Sequence, residues 1–233
     1  MPDITINCPD GQFTAYLAVP SNKDSKGNGG ILVIQEIFGI NKDMRAHCDR
    51  MAVMGYFAVC PDLFWRQEPG IQLTDQSDTE WAKAFELYKG FDVEKGITDL
   101  LTSLEHLREI DGCNGKVGTV GFCLGGFLAY KMAIESDADC NVSYYGVGIE
   151  DHLQDADKIV SPTILHIAEE DSFVSKEAQL DINKQLASKD NIDIYNYPTV
   201  DHAFARHGGI NFDEAASEMA DGRTMKCFSE YLK

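Results

Sequence analysis

The chain has 233 residues, 44% of them hydrophobic, with 38 acidic against 20 basic side chains and a formal net charge of -18. That length and apolar content suit a single α/β domain over residues 1–233 and exclude a disordered tail. A surface this acidic repels phosphate backbones and anionic lipid, so neither nucleic acid nor a membrane is expected as a partner.

In chain order, residues 4–7 and 13–19 are rich in β-forming side chains and flank CPDGQ, where Pro9, Asp10 and Gly11 predict a turn; an antiparallel hairpin opens the fold. The opening MPDITINCPDG lacks the basic start and apolar stretch of a signal peptide. The glycine-rich 27–30, behind SNKDSK, reads as a loop, and ILVIQ at 31–35 as a buried strand. Asn41 is placed to cap a helix carrying Met44, Cys48, Met51 and Ala52, which Gly55 stops. Residues 56–60 form the next strand, ended by Pro61, and 69–78 turn polar. Helical spacing returns at 79–89 and 92–110, where Val93, Ile97, Leu100, Leu101, Leu104 and Leu107 mark one face. Strands are predicted at 117–122, 141–145, 163–168 and 192–197, with a helix after the first of these and others at 175–188 and 213–232. Such alternation implies a mostly parallel central sheet flanked by helices. No apolar run approaches the ~20 residues of a membrane span.

Cysteines occur at 8, 48, 60, 113, 123, 140 and 227, without a CxxC pair. An odd count argues against a complete disulfide framework and for a reduced, cytoplasmic protein. Cys123 stands apart from the other six, which read as small core residues. It sits in GFCLG (121–125), which fits G-x-S-x-G with cysteine for serine, on a sharp strand-to-helix turn that exposes a nucleophile at the carboxyl edge of the sheet. The first turn of the following helix lowers a thiol pKa from ~8.5 and offers N–H groups to an oxyanion.

A thiol nucleophile needs a base, and the base an orienting group. His47 and His106 lie within predicted helices, His166 inside the apolar TILHIA, and His152 in an acidic loop. His202, in PTVDHAFAR after the last strand, occupies the place of an α/β-hydrolase histidine. Asp171 in HIAEEDSFV, directly after strand 163–168, completes the order nucleophile, acid, histidine, with Glu169 and Glu170 as rivals. Glu36 places a charge at the end of an apolar strand, a position often functional. No His/Cys/carboxylate group has metal-ligand spacing, so neither metal nor organic cofactor is expected.

Over nearly its whole length the chain resembles the dienelactone hydrolases (carboxymethylenebutenolidases), α/β-hydrolases that open a lactone ring with a cysteine. The resemblance rests on QEIFG (35–39), PDLFWR (61–66), GFCLGG (121–126), SYYG (143–146), EEDSFV (169–174) and DHAFAR (201–206), all in order. It implies that Glu36 lies beside the Cys123 thiol and takes its proton when substrate arrives; until then a nearby carboxylate disfavours the thiolate. It also implies an oxyanion hole from the backbone N–H groups of Ile37 and Leu124. Tyr145 is expected to line the pocket, and Arg206 to hold a substrate carboxylate together with a second arginine.

The chain departs from that family where the second arginine is expected, since Trp81 stands there with Lys83 the nearest cation, and Ala203 follows His202 where serine is usual. Trp81, Phe85 and Tyr88 at helical spacing point to a more aromatic, less cationic pocket. The expected activity is cysteine-dependent hydrolysis of lactones or small carboxylic esters through Cys123, His202, Asp171 and an acyl-enzyme. Two alternatives stand beside it: a broader esterase or thioesterase on neutral substrates, and a non-hydrolytic thiol redox sensor using Cys123. Monomer and homodimer both fit.

Overall fold

The computed structural model describes residues 3–22 and 27–233; Lys23 to Lys26, part of the predicted SNKDSK loop, lie outside the described residues. Strands β1 (Asp3–Cys8) and β2 (Gly11–Ala18) pair antiparallel about the Pro9-Asp10 turn, as the sequence predicts. Six more strands follow: β3 (Asn28–Ile34), β4 (Phe57–Pro61), β5 (Cys113–Phe122), β6 (Cys140–Tyr144), β7 (Thr163–Ala168) and β8 (Ile192–Tyr197). They complete an eight-stranded sheet in the order β1-β2-β4-β3-β5-β6-β7-β8. β2 meets β4 antiparallel, and every pairing from β4 to β8 is parallel. This is an α/β-hydrolase sheet with an antiparallel hairpin at one edge.

Helices α1 (Lys42–Val53), α2 (Asp78–Lys89), α3 (Val93–Arg108), α4 (Leu124–Glu135), α5 (Lys176–Leu186) and α6 (Glu214–Tyr231) accompany the sheet. Asn41 caps α1 as expected, its side-chain oxygen accepting from the backbone N–H groups of Asp43 and Met44 at 3.1 Å. On α3, Ile97, Leu100, Leu104 and Leu107 are fully buried, each contributing roughly 1.5–3 kcal/mol, while Val93 and Leu101 only border the core. Helix α4 is buried from Leu124 to Ala133, as suits an element apolar all round and enclosed by its neighbours. No helix among the described residues is long and apolar enough to cross a membrane.

Two stretches differ from the sequence reading. The predicted loop at 27–30 joins β3 from Asn28 onward, because the chain's C-terminal segment presses on it: a Cβ on Gly29 would lie 2.5 Å from the carbonyl oxygen of Leu232. Glycine there answers a close approach, not a turn. The acidic loop around His152 forms a 3-10 helix, Ile149–Lys158, with Ile149, Leu153 and Ala156 buried. His166 is a core residue as read, its ring nitrogens 2.8 Å from the Tyr197 hydroxyl and 3.1 Å from that of Thr224.

Strand order places the site. β3 lies between β4 and β5, so the connections leaving β3 and β5 diverge and open a crevice at their carboxyl ends. The register pairs Ile34 with Gly121, which brings Glu36 and Cys123, each two residues further on, to the same level of the sheet edge.

Candidate active site

Cys123 ends β5 and begins α4 with φ 55 and ψ -116, a left-handed conformation rare for a residue with a side chain. Neighbouring backbone enforces it. A Cβ on Gly121 would lie 1.8 Å from the carbonyl oxygen of Gly125, and one on Gly125 would lie 2.2 Å from that of Ile34. Only glycine lets the helix start this close to β3. The Cys123 N–H donates to the Tyr144 carbonyl at 3.1 Å, and its own carbonyl accepts from Phe127 at 3.1 Å, so the turn is pinned at both ends. Cys123 is 9% exposed and its side chain makes no capping bond, which leaves the positive end of α4 directed at the pocket.

His202 and Asp171 stand on the loops after β8 and β7. Asp171 accepts from His202 Nδ1 through Oδ2 at 2.9 Å and Oδ1 at 3.1 Å. The carboxylate is itself held by the N–H groups of Phe173 at 2.8 Å and Val174 at 3.1 Å. His202 is 2% exposed, and its Nε2 has no hydrogen-bond partner among the described residues. Burial opposes a charge on the ring, but the Cys123 sulfur and the Asp171 carboxylate outweigh it and the pKa is pushed up to about 10. Phe173 and Tyr145 hold the imidazole edgewise, at centroid distances of 4.8 and 5.0 Å.

Glu36 is 1% exposed; its Oε2 accepts from Arg206 Nε at 2.6 Å, and its Oε1 has no partner among the described residues. Arg206, 7% exposed, also donates through Nη1 to Asp75 Oδ2 at 2.9 Å and lies over the Phe38 ring at 4.8 Å. The sequence reading assigns Arg206 to a substrate carboxylate; Arg206 lines the same cavity as Cys123, and its Nε and Nη1 are engaged by two carboxylates of the chain itself. Asp75 was missed, since the polar run 69–78 signals a loop and says nothing of burial, yet this residue is 5% exposed. Its carboxyl is held below the usual range: burial works against the charge, but the Ile210 N–H and the Arg206 guanidinium prevail.

Ile37, Trp81, Phe85, Tyr88, Leu124 and Val147 line one small cavity of about 40 Å³ together with Cys123, Phe173, His202 and Arg206. The aromatic stripe of α2 therefore faces the pocket. Trp81 stacks on Phe85 at 5.4 Å and meets Phe38 edgewise at 5.0 Å. Ile37 stands on the loop after β3 and Leu124 is the first residue of α4, and both line the cavity with Cys123. Tyr145 is not on this wall: it lies beneath, with φ 40 and a buried hydroxyl that has no partner among the described residues. Lys83 and Arg66 are turned elsewhere, Lys83 to Glu68 at 2.8 Å and Arg66 to Asp10 and Asp99.

One potential ligand set escaped the sequence reading. Cys8, Asp10 and Asp99 bring their ligand atoms within 4.8 Å of one another, through pairing of elements far apart in the chain. The Arg66 guanidinium already bridges it, 2.5 Å from Asp99 Oδ2 and 2.7 Å from Asp10 Oδ1, and supplies the positive charge the carboxylates need.

The sequence pattern of the dienelactone hydrolase family matches residues 13–232. A provisionally named carboxymethylenebutenolidase of Azospirillum brasilense is 45% identical over 100% of both chains. Carboxymethylenebutenolidase 1 of Cupriavidus pinatubonensis is 38% identical over 93% of this chain and 91% of its own. Among solved structures, a provisionally named dienelactone hydrolase of Klebsiella pneumoniae superposes with a TM-score of 0.86 at 22% identity, covering 99% of this chain and 98% of its own. With an α/β-hydrolase sheet, a cysteine at the strand-to-helix elbow and relatives of this similarity along its full length, the chain belongs to the dienelactone hydrolase family and is a carboxylic ester hydrolase.

Proposed function

We propose that the chain opens lactones or small carboxylic esters through a covalent acyl-enzyme on Cys123, with His202 as acid–base and Asp171 as its orienting group. The observation that carries this reading is the imidazole itself: Nδ1 engaged by Asp171, and an Nε2 with no hydrogen-bond partner among the described residues, in the cavity that Cys123 also lines. The Asp171 carboxylate on Nδ1 stabilises the positive charge the ring acquires when Nε2 takes the thiol proton. The sulfur then attacks the carbonyl carbon, and the oxyanion is stabilised by the N–H groups of Ile37 and Leu124. Collapse breaks the carbon–oxygen bond, and His202 returns its proton to the leaving oxygen. Water, deprotonated by the same Nε2, attacks the thioester and releases the acid, and the sulfur is reprotonated.

Glu36 is assigned as a gate. Its negative charge at the level of Cys123 disfavours a standing thiolate, and substrate that disturbs its pairing with Arg206 lifts that restraint. The seven free cysteines support a reducing, cytoplasmic setting. One contiguous apolar core supports treating 1–233 as a single domain.

The test is turnover of aryl acetates and butenolides by Cys123→Ala, expected to be nil, while Cys60→Ala and Cys113→Ala stay within a few fold of wild type. Mass spectrometry of a His202→Ala sample with substrate should find the acyl mass on Cys123. Full activity in Cys123→Ala would overturn the assignment.

A further inference from the structure

Arg206, in the wall of the pocket, is held by an anion of the protein's own that stands outside the cavity lining. Asp75 stands on the loop before α2, and four groups donate hydrogen bonds to it. Its Oδ2 accepts from Arg206 Nη1 at 2.9 Å and from the Ile210 N–H at 3.0 Å, and its Oδ1 from Gln76 Nε2 at 2.5 Å. Its backbone carbonyl accepts from the Trp81 indole at 3.1 Å, and a flank of its carboxylate faces Gly209. Trp81, a wall of the pocket, thus anchors Asp75 as well as shaping the cavity.

An arginine recognises a carboxylate with two parallel N–H groups of its fork. Here Nε is given to Glu36 and Nη1 to Asp75, and the flat face of the guanidinium rests on Phe38. Two carboxylates on one guanidinium leave the buried cluster with a net negative charge, and a third carboxylate brought in from water would meet it at short range. No lysine and no second arginine lines the cavity among the described residues, and Lys83 and Arg66 are engaged outside it. The remaining walls are aromatic and aliphatic.

We infer that Asp75 is a specificity-determining residue: it occupies Arg206 as an internal carboxylate, so the pocket selects uncharged, aromatic or aliphatic lactones and esters and rejects those bearing a carboxylate near the reacting carbonyl. This rests on the hydrolase reading above, and it assigns Asp75 a positioning role, acting on substrate through Arg206.

The experiment uses two matched pairs. Values of kcat/KM are measured for carboxymethylenebutenolide and its carboxamide, and dissociation constants by calorimetry for phenylacetate and phenylacetamide. Wild type should favour the uncharged member at least tenfold in both. Asp75→Asn should move both ratios at least tenfold towards the carboxylate, which loss of packing alone would not do; Asp75→Ser serves where the first variant folds poorly. A wild-type preference for the charged member, or ratios unmoved within twofold in a folded variant, would overturn the inference. The binding pair separates the two readings: a wild type inactive on every lactone and ester refutes the hydrolase assignment, while the phenylacetate ratio still judges Asp75.

Discussion

His202 and Asp171 meet at 2.9 Å across the loops that follow β8 and β7, while Glu170 beside Asp171 is engaged elsewhere. Glu170 pairs with Lys176 at 3.1 Å on the exposed surface, and the Glu169 carbonyl accepts from the same lysine. His202→Ala should therefore lower turnover by ~10² to 10⁴-fold, the usual worth of a positioned acid–base group. Asp171→Asn should also cost activity, and Glu169→Gln and Glu170→Gln should stay within a few fold. Steady-state kinetics on one aryl ester decides this; a crippled Glu170→Gln would move the acid's role to that residue.

Sequence order made these residues legible because the α/β-hydrolase rule concerns which strand each follows, and β7 and β8 begin and end where the runs TILHIA and IDIYNY do. Asp75 and Arg206 were not legible as a pair. They lie 131 positions apart, and what joins them is burial of a polar loop under the pocket. Gly29 misled for a related reason: glycine signals a turn locally, whereas here it makes room for Leu232. The hydrogen-bonded core position of His166, by contrast, followed from its apolar neighbours alone.

The elbow should be intolerant of a single methyl group. A Cβ on Gly125 would lie 2.2 Å from the Ile34 carbonyl oxygen and 2.6 Å from that of Gln35, both backbone atoms that cannot rotate aside. Gly125→Ala should lose more than about 4 kcal/mol or fail to fold, in the range reserved for severe overpacking. Gly222, within α6 and with nothing near its missing Cβ, supplies the control. Gly222→Ala should gain ~0.5–1 kcal/mol from helix propensity. Urea midpoints measure both, and equal effects would refute the close-approach explanation.

Acid should expose His166. Burial and, second, the Arg223 charge lower its pKa from 6.5 to about 3, so it stays neutral in the folded chain while the unfolded chain takes up a proton below 6.5. The unfolded state then binds more protons between about pH 6.5 and 3, and stability falls as pH falls through that window. In His166→Asn the decline of unfolding free energy between pH 6 and 4 should be shallower by nearly one proton, about 1.4 kcal/mol per pH unit. Identical slopes in the two proteins would show that His166 is protonated in the fold.

The last prediction concerns Glu36 and the thiol it is proposed to restrain. The β3–β5 register sets Glu36 level with Cys123, and Arg206 pairs with Glu36 while lining the same cavity as Cys123. Glu36 keeps one oxygen on Arg206 and leaves Oε1 without a partner among the described residues, a buried carboxylate at the level of the sulfur on the neighbouring strand's end. Such a charge raises the cost of ionising the thiol, so the free protein should react slowly with iodoacetamide at pH 7. Glu36→Gln keeps the shape and removes the charge, and it frees Arg206 Nε to act on the sulfur in the same direction. Alkylation of Cys123, followed by peptide mass spectrometry, should then be at least tenfold faster, the equivalent of one pKa unit. A neutral butenolide analogue that loosens the Glu36–Arg206 pair should speed the wild-type reaction in the same way. Rapid labelling of wild-type Cys123 without ligand, unchanged in Glu36→Gln, would mean that the thiolate already stands in the resting protein through His202 alone, and the gate would have no role.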